Sequence, residues 1–159
     1  HATGGALAAI LLGPSAACIA ITVALVIQAL LFGDGGITAI GANCFNLAFV
    51  LPFSGYYVYR LISYKAPVGS SRRVIAAALA GYIGINAAAL LTGIEFGLQP
   101  ILHHSADGQP LYCPYGLKAA LTAMVGEHLL IFGWLEALVS ALVIKYLQKQ
   151  APELLTEAR

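Results

Sequence analysis

The sequence predicts an all-α fold, a polytopic bundle of about four transmembrane helices preceded by a short N-terminal half-helix. Three observations carry that prediction. Of 159 residues, 60% are hydrophobic and only 9% are charged, against roughly 25% charged in a typical soluble domain. Four apolar stretches, 14–32, 43–64, 72–97 and 116–149, each approach or exceed the roughly 20 helical residues that cross about 30 Å of hydrocarbon. Between them lie GDGGITAIGA, SYKAPVGSSRR and QPILHHSADGQPLYCPY, which carry the Gly, Pro and Asp that break helices. The length fits a single transmembrane domain over 1–159. A net charge of +1 provides no basic field for nucleic acid, and so much apolar surface excludes a soluble enzyme.

The first element is the shortest. Within 4–12, GGALAAILL offers about nine helical residues and so about 14 Å of rise, half a membrane. Gly13 then suits a helix end and Pro14 the first turn of the next helix. Residues 4–12 therefore read as a half-helix rising from the inner face, which places His1 near mid-membrane. Broken helices at that depth are tolerated where they pack in protein or line a polar cavity. The alternative is one kinked helix over 4–32 with His1 in the cytoplasm. GDGG at 33–36 lacks the Gly-Lys-Ser/Thr ending of a phosphate loop and reads as a turn. The last stretch, 116–149, is long enough to tilt or to project beyond the bilayer.

Basic residues orient the bundle, because Lys and Arg beside spans stay on the cytoplasmic side. Arg60, Lys65, Arg72 and Arg73 lie between the second and third stretches, and Lys145, Lys149 and Arg159 follow the fourth; only Lys118 falls on the other side. The loops near 33–42 and 98–115 are thus expected outside, with the C-terminus cytoplasmic. The opening at His1, without Met or a basic leader, reads as a start inside a longer product rather than as a signal peptide. Cys18, Cys44 and Cys113 match no zinc spacing and read as buried free thiols.

Several side chains in these stretches carry chemistry. HATGG sets His1, a good nitrogen ligand for borderline divalent metals, beside Thr3 and two glycines. Thr3 suits a cap for the half-helix or an orienting partner for the ring. A lone His is nonetheless more often a packed residue than a ligand. Asn43 begins the second stretch, as a helix cap or a bond to a ligand loop, with Asn46 one turn on. Glu95, His128 and Glu136 lie within spans, where ionisable groups are expensive and functional by default. They read first as bracing for the bundle or as contacts to a partner subunit; at 100° per residue, His128 and Glu136 stand about 80° apart. Glu127-His128 is not HExxH, which excludes that metalloprotease motif. His103, His104 and Asp107 in the outer loop are either a metal-gathering cluster or an exposed polar loop. A rival from the enzyme class, an intramembrane hydrolase using Ser54 and His128, lacks GxSxG. A stand-alone channel or permease would need more polar pore lining.

The opening H-x-T-G of HATGG, then LLGP, QALLFGDGGITAIGAN and the distal GEHLLIFGWLEAL resemble the substrate-binding S component (CbiM/NikM type) of cobalt/nickel energy-coupling-factor transporters. The resemblance covers most of the chain. It implies a non-enzymatic subunit that captures Co²⁺ or Ni²⁺ from outside as transported substrate, for cobalamin biosynthesis or metalloenzymes, with no organic cofactor. It implies partners: a CbiQ-like transmembrane T component, a CbiO-like cytoplasmic ABC-type ATPase and a CbiN-like small membrane subunit, all at a prokaryotic inner membrane. In that family an N-terminal Met-His segment and the His of H-P-T-G hold the ion, and only the second carries over, onto His1, with Ala2 in place of Pro. Thr3 and Asn43 would then stand around the ligand. One imidazole alone is an incomplete site, so the resemblance implies that further ligands lie outside this sequence. Because imidazole must be deprotonated to bind, uptake is expected to weaken as pH falls.

Overall fold

The computed structural model describes residues 4–157. A short helix, Gly5–Leu12, ends where the chain changes direction at Gly13, φ 83°, a left-handed value that glycine reaches without Cβ strain. Pro14 occupies the first turn of the next helix, where its missing N–H would have no partner in any case. The half-helix is therefore separate from its successor and not the lower part of one kinked helix.

Four long helices follow. The first is Pro14–Phe32, the third Ser71–Leu102 and the fourth Leu117–Gln150, and these three are long and apolar enough to cross a membrane. The second runs without a break through Ile40–Asn43, Cys44–Val50 and Leu51–Ser63, about 36 Å at 1.5 Å per residue. Asn43, Asn46 and the tyrosines at 56, 57 and 59 dilute its apolarity. A last turn, Leu154–Glu157, closes the described chain.

Three boundaries differ from the sequence reading. The second helix starts at Ile40 rather than 43, with Ala39 at its cap position, so Asn43 is not a cap. The third continues past 97 to Leu102 with Pro100 inside it. A proline there removes only one bond of the final turn, and the helix closes with His103 N–H donating to Gln99 O at 2.8 Å. The half-helix starts at Gly5 rather than 4, with Gly4 at its cap position, φ 63°, and no side-chain capping bond.

Three of the long helices also contain a π turn: Gln28–Phe32, Cys44–Val50 and His128–Phe132. Such i→i+5 turns are wider than an α turn and recur at functional sites. The last one lies between His128 and Glu136, so rotation at a constant 100° does not describe their relation. Both are buried, at 6% and 3% exposure.

Small residues let the helices approach. Thirteen of the twenty-one buried hydrophobic residues are alanine, while Phe32, Leu61, Ile101 and Trp134 face outward. This is the arrangement expected in lipid, where a large apolar side chain gains nothing by leaving the surface and backbones gain contact by closing up. A Cβ added at Gly81 would meet Glu136 O and Ser140 Oγ, both at 2.9 Å, and one at Gly97 would run into Leu117. At the basic end, Arg73 donates from Nε to Ala66 O (3.1 Å) and from Nη1 to Leu155 O (3.0 Å). Gln148 Nε2 donates to Val68 O (2.6 Å) and Ser70 O (3.0 Å). These bonds tie the 64–70 loop to the end of the fourth helix.

Candidate functional site

The half-helix is seated by a close contact that depends on Gly55. A Cβ on Gly55 would lie 2.6 Å from Ala6 Cβ and 3.1 Å from Ala80 O, so Ala6 is level with both. Gly55 is eight residues from Ser63 and Ala80 nine from Ser71. At 1.5 Å per residue these place Ala6 about 12–14 Å from the basic end of the bundle by two separate rulers. Leu12 is followed by the long helix that climbs to the opposite end, so the half-helix descends from the middle of the bundle toward the basic end. Its Ala6, Ala9 and Ile10 are buried. His1 and Thr3, the sharpest residues of the sequence, lie outside the described residues.

Above this seat, toward the end opposite the basic loops, is a polar junction of the second and third helices. Asn46, 2% exposed, lies in the π turn Cys44–Val50. Its Nδ2 donates to Glu95 Oε2 at 2.7 Å and to Thr92 Oγ1 at 3.1 Å. Thr92 Oγ1 donates in turn to Ala88 O at 2.9 Å, so its lone pair is what Asn46 meets. The orientation of the amide follows: the reverse would set its oxygen against the Glu95 carboxylate. Asn46 Oδ1 is buried and has no hydrogen-bond partner among the described residues, a situation that costs about 1–3 kcal/mol for a buried acceptor.

Glu95 also lines a cavity of about 620 Å³ at this end, with Thr38, Gln99, His103, Tyr112 and Cys113 among its other walls. Asn43 closes one flank of this end by donating from Nδ2 to Gly35 O at 3.0 Å. It pins the 33–39 turn, where Gly33, Gly35 and Gly36 all have positive φ. His103 is exposed and packs edge-on to Tyr112 with ring centroids 5.5 Å apart. His104, also exposed, has Nδ1 3.1 Å from Ser105 O. Among the described residues, no group of three or more His, Cys, Asp or Glu side chains is disposed to hold a metal ion. The three cysteines are free and half-buried rather than buried.

The fourth helix carries its ionisable groups elsewhere. His128 Nδ1 lies 2.7 Å from Met124 O, so that nitrogen carries a hydrogen toward the carbonyl. Glu127 Oε1 is 3.5 Å from Nδ1 on a half-exposed side chain. Glu136 is buried lower down, beside Gly81. Ser54 Oγ donates to Val50 O at 2.6 Å, a bond within its own helix, and His128 likewise bonds within its own. The pair proposed for a hydrolase is thus not assembled. Sequence reading did not find the Thr92 contribution, and it ranked Asn46 below Asn43. The available signal was Thr92 and Glu95 three residues apart on one face of an apolar helix.

A family model described as "Cobalt uptake substrate-specific transmembrane region" matches residues 1–154. The chain is 55% identical over 159 residues to the fused nickel transport protein NikMN of Rhodobacter capsulatus, covering 100% of this chain and 46% of that protein. It is 52% identical over 154 residues to the probable fused nickel transport protein LarMN of Lactiplantibacillus plantarum, covering 96% and 45%. The crystal structure of a truncated transition metal transporter superposes with a TM-score of 0.84 at 56% identity, over 91% of this chain and 65% of that one. The chain thus spans just under half the length of the two fused relatives.

Proposed function

The chain belongs to the family of cobalt uptake substrate-specific transmembrane regions, and from that premise we propose that it is the metal-capturing membrane domain of a longer Co²⁺ or Ni²⁺ importer subunit. It takes the ion from outside and makes or breaks no covalent bond of its own. His1 supplies one imidazole nitrogen, Thr3 and Asn43 stand behind the ligands, and the other ligands come from outside these 159 residues. The observation that carries the reading is the half-helix: it follows H-x-T-G directly, and its upper end lies in the middle of the bundle, the depth at which broken helices present bound substrate. Glu95, Glu136 and His128 brace the bundle or contact partner subunits. Those partners are a CbiQ-like T component, a CbiO-like ATPase that supplies the energy, and a CbiN-like small membrane subunit.

The reading is tested by transport. Full-length protein in vesicles with the T component and ATPase accumulates radioactive Ni²⁺ or Co²⁺ when ATP is present, and not when either partner is left out. Accumulation without them means a self-sufficient permease instead. The orientation is part of the proposal, with the 60–73 loop and the C-terminus cytoplasmic, as the positions of Arg60, Lys65, Arg72 and Arg73 support. In a background with the native cysteines replaced, a cysteine at position 65 stays unlabelled by an impermeant maleimide in sealed cells, while one at 107 reacts. The opposite pattern inverts the bundle.

A further inference from the structure

The outer cavity and the polar junction beneath it present no set of three His, Cys, Asp or Glu side chains among the described residues, and their chemistry suits a different species. A hydrated divalent cation presents only hydrogen-bond donors, the O–H groups of its water shell. The cavity offers acceptors: the Glu95 carboxylate, the Gln99 side-chain oxygen, the Thr38 hydroxyl and the His103 ring. Six waters at about 30 Å³ each fill about 180 Å³, so a cavity of about 620 Å³ seats the ion with its shell intact. Direct coordination is not what the walls are arranged for, since no three ligating side chains among the described residues converge. The charge has the right sign, with Asp34, Glu95 and Asp107 at this end against Lys118, and an apolar-walled recess focuses such a field. Behind Glu95, hydrogen-bonded to it at 2.7 Å, Asn46 holds a buried acceptor oxygen without a hydrogen-bond partner among the described residues.

We propose that this cavity is an entry station for the hydrated divalent cation, gripped through its water shell by Glu95, with Asn46 Oδ1 as the next acceptor inward. The inference rests on the transport reading above and adds a second binding place to it. The station shortens the path in both directions, so its loss slows arrival and departure equally and leaves the affinity of the final site unchanged.

The test uses the full-length protein in lipid nanodiscs, with Ni²⁺ association and dissociation followed by stopped flow. Glu95→Gln keeps the shape and the acceptor for Asn46 but removes the charge. It is expected to slow both rates about tenfold with Kd unchanged. Hexaamminecobalt(III), an exchange-inert cation with the donor shell of a hydrated ion, is expected to slow Ni²⁺ association in the wild type and not in Glu95→Gln. Rates within twofold of wild type, a change in Kd without a change in association rate, or no effect of the inert cation overturns the station. If Glu95→Gln does not fold, Gln99→Glu decides the matter. A second carboxylate in the cavity is expected to speed Ni²⁺ association about threefold, and no acceleration overturns the proposal. Wild-type protein that takes up neither Ni²⁺ nor Co²⁺ overturns the transport reading and the station with it, whereas normal uptake with an unaffected Glu95→Gln removes the station alone.

Discussion

Replacing His1 by alanine in the full-length protein is expected to lower Ni²⁺ and Co²⁺ affinity by more than about a hundredfold, since loss of a residue merely behind a metal ligand already costs about 10–100-fold. Three links support the expectation. The chain belongs to a cobalt-uptake family over residues 1–154. The motif H-x-T-G opens it, and imidazole is the ligand type these borderline ions favour. The helix that follows the motif is the one whose upper end is held in the middle of the bundle, by the close approach of Ala6 to Gly55. The substitution removes one polar side chain and no core volume, so the bundle should still assemble. Isothermal titration calorimetry with each metal, beside size-exclusion chromatography, checks both halves. Undiminished binding by a folded His1→Ala protein takes His1 out of the site.

Gly55→Ala should have the second largest effect, acting on the same site from 54 residues further along the chain. Its new Cβ would lie 2.6 Å from Ala6 Cβ and 3.2 Å from Ala6 Cα, where unbonded carbons rest at about 3.5–4.0 Å. Neither obstacle is a flexible side chain that turns aside. One is the first carbon off the half-helix backbone, and the other is that backbone. The half-helix must therefore move about 1 Å, which for an overpacked core costs about 1–3 kcal/mol. The expected result is a lower unfolding midpoint in nanodiscs together with at least tenfold weaker Ni²⁺ binding, because the segment that presents the ligand has shifted. Gly126→Ala is the control: a Cβ there meets nothing within 4 Å. If Gly55→Ala binds metal as tightly as Gly126→Ala, the seat of the half-helix does not position the site.

The N-terminal break was legible in the sequence for a physical reason. Gly13 and Pro14 are adjacent, one suited to ending a helix and the other to starting one, and nine residues cannot cross hydrocarbon. The long helices were equally plain in kind, since apolar runs of that length have few other folds open to them. Their ends were harder to see. Pro100 looks like a stop, but two residues from the end of the helix it removes too little to stop anything. Asn43 looks like a cap because its side chain suits one, yet the helix begins three residues earlier and Asn43 reaches back to Gly35 O instead. The π turns leave no trace in a pattern read at 3.6 residues per turn. The junction of Asn46 with Thr92 and Glu95 was invisible for a different reason. It joins residues 46 and 49 positions apart, and only the register of two packed helices brings such residues together. His1 and Thr3 stay with the evidence of motif and family, outside the described residues.

The placing of alanine and glycine within and of Phe, Leu, Ile and Trp without has a thermodynamic corollary. When such helices separate inside a bilayer, apolar surface passes from protein contact to acyl-chain contact, and little of it meets water. The large positive heat-capacity increment of a soluble domain arises from the hydration of newly exposed apolar surface, and here that source is nearly absent. The dependence of stability on temperature is then close to a straight line rather than a dome. The bundle is then expected not to weaken on cooling as soluble proteins do, held as it is by close packing, interhelical hydrogen bonds and lipid entropy.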